Sequence, residues 1–301
     1  MIGRRWWAPW VWMAPALMLV SVFLVYPSLD TLRRSFLDAR SKEFVGLDNY
    51  RFIIENPQPL VADTHHALLT NALWLVMFTG LTVPFGLLLA VLTGRLRYEA
   101  VAKSAIFIPM AVSFVAASVI WRFMLDFNAD IGTFNAVLTG LGRDPVAWLQ
   151  DTNLGGTDGI GPLQLNNLML MLIGVWMWTG FALVVLSAGL KGISSEVIEA
   201  ARVDGATERQ ILFRIIIPIL RPTIIVVATT LLIYAMKIFD LVWVTTGGRF
   251  GTDVVSTLFF KQAFINRNFG VGAALAFLLL AAVVPLMALS IRRFQTEEER
   301  A

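Results

Sequence analysis

Lys237 and Asp240 stand three residues apart in an otherwise apolar stretch, Thr223 to Thr245. A cation and an anion so placed could hold a polar solute, relay a proton, or neutralise each other or a partner. A charge near mid-bilayer costs at least about 2.5 kcal/mol on insertion scales, so the pair needs a reason. On the same stretch Thr230, Ile233, Tyr234 and Lys237 recur at spacings of three and four, which puts them on one helix face. Met177, Trp178 and Phe181 share a face of the stretch Leu168 to Leu190. Hydroxyls beside aromatic faces suit a solute with both polar and apolar surfaces. The same aromatic spacing also serves ordinary packing or lipid contact.

Catalytic chemistry has little to work with. His65 and His66 follow Asp63, but adjacent helical side chains point roughly 100° apart, so they read as membrane-interface residues rather than one metal site. No serine, histidine and carboxylate are arranged as a triad. Absence of Cys excludes thiol catalysis, Cys-ligated zinc and iron–sulfur clusters. No Gly-Lys dipeptide occurs, so the chain has no phosphate-binding loop for ATP.

The elements that must carry these residues are membrane spans. Of 301 residues, 57% are hydrophobic and 15% charged, against about 25% charged in a soluble domain. Mean hydropathy is +0.71. A formal charge of +3 is too small to suggest nucleic acid, and lipid is the expected surroundings. A spanning helix needs about 20 mostly apolar residues. Six stretches qualify: Trp10 to Leu29, Leu68 to Thr93, Ala105 to Leu125, Leu168 to Leu190, Thr223 to Thr245 and Val271 to Ile291. The first follows Arg4 and Arg5 and, at its length and with its tryptophans, reads as a retained anchor rather than a signal peptide. Basic residues favour the segments holding Arg95, Lys103, Lys191 and Arg202, together with both termini, as the cytoplasmic side. Residues 1–67 then form an anchor helix and first external segment. Residues 68–301 form a core of five spans, with a cytoplasmic loop at 191–221. Arg122, beside Trp121, is expected to snorkel to headgroups or pair with Asp126. The first external segment should break at Asn56-Pro57, and the third loop carries a turn-rich run, Gly155 to Gly159.

The loop 191–221 reads as helix. Ser194-Ser195 offers an N-cap, Glu196 and Glu199 occupy the first turn, and Gly205 can stop the helix. Thr207 followed by Gln210 is a capping box that starts a second helix at once. Ala200, Ala201 and Ala206 stand where a solvated linker would show Lys and Glu, and small residues allow another surface to approach. The plainer reading is a connector packed under its own bundle.

Glu199-Ala200-Ala201, Gly205, Ile215 and Ile217-Pro218 resemble the EAA loop of permease subunits in binding-protein-dependent ABC importers, with Ile-Pro where that family ends in Leu-Pro. Resemblance extends along the chain through Phe44-Val45-Gly46-Leu47-Asp48-Asn49-Tyr50, Asn71, Ile120-Trp121-Arg122-Phe123, Ala188-Gly189-Leu190, Phe239-Asp240 and Thr246-Gly247-Gly248. These pieces are similar to the first, maltose-permease-like member of the carbohydrate-uptake branch, and Gly247 to Val255 is similar to α-glucoside permeases.

That resemblance implies an all-α polytopic fold of six spans with a cytoplasmic coupling helix. It implies no enzyme activity of the chain's own and no bound cofactor, with ATP and Mg held by two partner ATPase subunits. The other implied partners are a second permease subunit in a heterodimer, an external solute-binding protein, a sugar and membrane lipid. Glu199, Ala200, Ala201, Asp204 and Gly205 would couple to an ATPase. Met177, Trp178, Phe181, Thr230, Ile233, Tyr234, Lys237 and Asp240 would line the sugar path. Two other classes stay open on residues alone: an ion-coupled carrier using Asp240 and Lys237, and a membrane enzyme using His65 and His66.

Overall fold

The computed structural model describes residues 7–55, 59–154, 157–158 and 163–298. Arg4, Arg5, Asn56, Pro57, Gly155, Gly156, Gly159 and Arg300 lie outside the described residues, as do the side chains of Asp63, Arg292 and Arg293. The chain divides into two compact units, Met1–Thr64 with Leu258–Ala281 and His65–Thr257 with Ala282–Ala301.

In the first unit, helix α1 (Trp10–Arg34) is long enough to span a bilayer, and none of its apolar window is buried within the protein. Such a helix is stable only where lipid or another chain covers it. A second helix, α2 (Asp48–Glu55), follows the turn at Gly46. Asn49, on α2, donates its side-chain amide to the carbonyls of Ser35 and Leu37 at 2.8 and 2.7 Å, tying α2 back to the segment after α1.

The second unit is built on α3 (Thr64–Thr93) packed against α7 (Leu165–Lys191). Between them, a Cβ built on Gly86 would lie 2.4 Å from Ala182 Cβ, so only glycine permits this approach. Small residues at the contact suit helices in lipid, where close packing rather than the hydrophobic effect drives association. Around this seam the buried core includes Trp74, Phe78, Leu170, Leu183, Leu186, Val227 and Leu231. Trp74 to Phe78 is a π-turn inside α3.

The other helices of this unit are shorter. They are α4 (Glu99–Ala111), α5 (Phe114–Met124), α6 (Thr133–Gly140), α8 (Ser195–Val203), α9 (Glu208–Ile219), α10 (Arg221–Met236) and α11 (Asp240–Thr245). Helices α12 (Val255–Ile265) and α13 (Phe269–Glu298) follow in the chain, their part from Leu258 to Ala281 belonging to the first unit. Non-helical pairing among the described residues is confined to a two-residue ladder, Asn153–Leu154 with Thr157–Asp158, and a bridge between Leu37 and Phe44.

An all-α, multi-span architecture is therefore as expected, but two of the expected spans are not straight rods. Ala105 to Leu125 is divided into α4 and α5, which meet at 93°. Pro109 closes α4, Val112 turns extended, and the Ser113 hydroxyl caps α5 by accepting from the Ala116 N–H at 3.1 Å. Thr223 to Thr245 is divided too. Helix α10 bends 71° from α9 and ends at Met236, and α11 begins only at Asp240. By length and composition three helices span alone, and up to five if each bent pair is one span. The expected sixth span, Val271 to Ile291, falls inside α13, whose described apolar part runs Phe269–Pro285.

Candidate functional site

Helix α8 is capped as its residues dictate. The Ser194 hydroxyl accepts from the Glu196 N–H at 3.2 Å, and Glu196 lies in the first turn, where the helix dipole favours an anion. At the other end the Gly205 N–H donates to Arg202 O and the Ala206 N–H to Ala201 O, each at 3.0 Å. This is a Schellman motif, and it requires the left-handed φ of +80° that Gly205 adopts. Thr207 then opens α9 through a capping box. Its N–H donates to Gln210 Oε1 at 2.8 Å, and its hydroxyl accepts from the Gln210 N–H at 3.3 Å. Two helices therefore meet at a corner that is capped on both sides.

One side of α8, Ile198 and Ala201, turns inward, whereas Glu196, Glu199, Ala200 and Val203 are exposed, Val203 at 87%. Glu196 stands three and four residues before Glu199 and Ala200, and Val203 four and three after them, so they form a single outward stripe of two carboxylates and two small or apolar side chains. Asp204 and Gly205 are exposed at its end. Glu208 holds the corner to its surroundings, accepting from Arg202 Nε at 2.9 Å and from Arg95, just past α3, at 2.7 Å.

The other candidate region lies where the fifth apolar stretch breaks. Breaking a helix in an apolar setting strands carbonyls that must be paired within the protein. Asn71 of α3 donates to Ala235 O at 3.3 Å and accepts from the Val255 N–H at 2.8 Å. Ser256 donates to Ile238 O. Lys237 caps the C-terminal end of α10 and Asp240 begins α11, each at the helix end whose dipole favours its charge. Both side chains are exposed, and no Lys237–Asp240 ion pair forms among the described residues. The shared face expected for Thr230, Ile233, Tyr234 and Lys237 thus stops at Tyr234, because the helix ends two residues later. Nor does Arg122 pair with Asp126 among the described residues.

Tyr234 sits at the centre of an aromatic cluster. Its ring centroid lies 4.6 Å from Trp178, 5.3 Å from Phe114 and 5.6 Å from Phe78, and Phe181 meets Trp178 edge-on at 5.5 Å. Trp178 Nε1 is buried and faces the Tyr234 hydroxyl without a hydrogen bond of full geometry, and Trp74 Nε1, one π-turn from Phe78, is buried with no partner among the described residues. Thr230, half-buried one turn before Tyr234, spends its proton on Val226 O at 3.0 Å but can still accept. Ile233 is half-buried beside it. Met177, at 1% exposure, lies in the core with Ile173 and Leu170, one and two helical turns back on α7, and the cluster packs against that core. Phe114 and Phe78 were not among the expected lining residues, because they come from α5 and α3.

A folded loop follows α11. Thr246 and Thr252 share a hydroxyl–hydroxyl bond at 2.6 Å, and Asn166 and Asn167 at the start of α7 donate to Phe250 O at 2.7 Å and Gly251 O at 3.1 Å. His66 lies beside this loop, with its Nδ1 3.3 Å from the Thr70 hydroxyl, and His65 is exposed. Adjacent as they are in sequence, the two histidines face different surroundings.

Apolar helices long enough to cross a bilayer, with a capped, outward-facing helix pair outside them, have the parts of a membrane transport subunit. Residues 62–295 match the family of binding-protein-dependent transport system inner membrane components, and the chain belongs to that family. It is a multi-pass membrane protein. It is 46% identical to the osmoprotective compounds uptake permease GgtC of Synechocystis, over 96% of this chain and 99% of the relative. It is 40% identical to the α-glucoside transport permease AglF of Rhizobium meliloti, over 96% of this chain and 83% of the relative. Its fold resembles that of a chain of a bacterial ABC transporter involved in alginate import, with a TM-score of 0.76 at 20% identity, covering 95% of this chain and 96% of that one.

Proposed function

We propose that this chain is one of two paired permease subunits of an ATP-driven sugar importer, and that it carries a di- or oligosaccharide of α-glucoside type. Both termini face the cytoplasm. Two ATPase subunits bind ATP and Mg below, a solute-binding protein delivers the sugar from outside, and α8 seats in one ATPase through Glu199, Ala200, Ala201, Asp204 and Gly205. Closure of the ATPases around ATP moves α8 as a lever, because its caps make the corner at Gly205 a defined joint rather than a loose tether. The carrying observation is the stripe Glu196, Glu199, Ala200 and Val203: it is exposed on a helix capped at both ends, with no described residue covering it.

Sugar selection belongs to the cluster of Trp178, Phe181, Thr230, Ile233 and Tyr234, with Lys237 and Asp240 at its broken end. A pyranose would stack on the rings and pair with the indole N–H of Trp178, which makes no full hydrogen bond within the protein. The name of the AglF relative supports an α-glucoside. That of the GgtC relative favours a second reading, an osmoprotective solute handled by the same cluster.

The test is uptake by the complete complex in proteoliposomes. Trp178→Ala and Tyr234→Ala should each weaken apparent affinity for a labelled α-glucoside by about tenfold, equal to about 1.4 kcal/mol. Unchanged uptake in both variants would move the sugar site elsewhere, and transport by this chain without any ATPase would replace the importer by a carrier.

A further inference from the structure

Beside α8, at the end of the bundle where α3 and α7 finish, lies a cavity of about 260 Å³ that the coupling role does not use. Its floor is apolar, with Ala90, Leu190 and Ile211, and its walls carry six charged side chains. Each of its two carboxylates is gripped by two cations from different elements. Glu99 pairs with Lys103 of α4 and with Lys191 at 3.0 Å, and Glu208 pairs with Arg95 at 2.7 Å and Arg202 at 2.9 Å. Four cations against two carboxylates leave a surplus of two positive charges facing a small, partly open volume.

A network that braces the helices does not need this surplus, and Arg95, Lys191 and Arg202 are half or more exposed, so an anion can reach them. An ammonium offers three donors and a guanidinium five, so the observed pairings leave most of them unused. Ser187 also lines the cavity. It is 4% exposed, and its Oγ has no hydrogen-bond partner among the described residues, although a helical serine can usually bond the carbonyl one turn back. Surplus cations with forked donors, over an apolar floor at the ends of spanning helices, are complementary to a phosphate group.

We propose that this cavity binds a phosphate group, supplied either by the headgroup of an anionic lipid or by a free phosphorylated solute, and held by Arg95, Lys103, Lys191 and Arg202. Occupancy ties the mount of α8 to the ends of α3 and α7. The site is independent of which solute is transported.

The experiment uses the complete complex in nanodiscs and follows its thermal midpoint. Two probes are compared: inorganic phosphate in phosphatidylcholine discs, and phosphatidylglycerol replacing phosphatidylcholine with no phosphate added. A rise with the first identifies a free phosphate, and a rise only with the second identifies a lipid headgroup. Glu99→Gln releases Lys103 and Lys191 and raises the surplus to three, so it should tighten binding of the effective probe by about tenfold, whereas Lys103→Gln with Lys191→Gln should weaken it by about tenfold. A bracing network alone predicts the opposite for Glu99→Gln, which would lose stability and gain no binding. If neither probe shifts the folded wild-type complex or the Glu99→Gln complex, the proposal is wrong.

Discussion

The corner at Gly205 and the break at Lys237 both join two helices, yet they are held in opposite ways. At the corner every bond that shapes the turn is made between residues 194 and 210: a serine cap, a Schellman pair and a capping box. At the break the stabilising groups come from far along the chain. Asn71 is 164 residues from Ala235 and 184 from Val255, and Ser256 is 18 from Ile238. A surface joint can lean on water and local caps. A joint in apolar surroundings has to import its partners, because each buried carbonyl or N–H left unpaired costs about 1–3 kcal/mol.

The sharpest way to break this contrast is Asn71→Leu. It strands Ala235 O and the Val255 N–H together, and at about 1–3 kcal/mol for each group it should cost more than any single change at the corner. Thermal unfolding in detergent measures this. A midpoint equal to wild type would mean that the break does not depend on its distant partner.

Next comes the corner. No atom lies within 4 Å of a Cβ built on Gly205, so the penalty of a side chain there is conformational rather than steric. Gly205→Val should cost roughly 1–2 kcal/mol locally and abolish substrate-stimulated ATP hydrolysis in the complex while the subunit still inserts. Gly205→Asn, which tolerates the left-handed region, should recover part of that coupling. Equal ATPase stimulation in Gly205→Val and wild type would remove the lever.

A purely local joint in the first unit supplies the smallest effect. Asp38 accepts from the backbone N–H of Lys42 at 2.5 Å and of Glu43 at 3.1 Å, and these bonds hold its carboxyl below the usual value of 3.8. Its contribution is therefore complete above that value and fades as pH falls through the lower folded one. Hydrogen exchange at Lys42 and Glu43 should speed up only in that acid window, and Asp38→Asn should flatten the response. An unchanged pH profile in Asp38→Asn would show that another group controls it.

Much of the molecule was legible in its sequence wherever the determinants are close together. Ser194, Gly205, Thr207 and Gln210 announced the capped corner because caps act over three or four residues. Trp178, Phe181 and Tyr234 were recognised as candidates from their types, and they do meet. Met177 was grouped with them by spacing, yet it turns into the core, since spacing defines a face but not what the face meets. Lys237 and Asp240 looked like a pair needing neutralisation, and the break explains them instead as charges at two helix ends.

What the sequence alone determined is the membrane architecture and the capped helix outside it, through hydropathy over some twenty residues and hydrogen bonds within one helical turn. Only the tertiary structure decided where two spans bend, which rings surround Tyr234, and that Asn71, Asn166, Asn167 and Ser256 pair with backbone groups freed by broken helices and loops. Those decisions depend on contacts between residues far apart in the chain, whose partners become neighbours only when the helices pack.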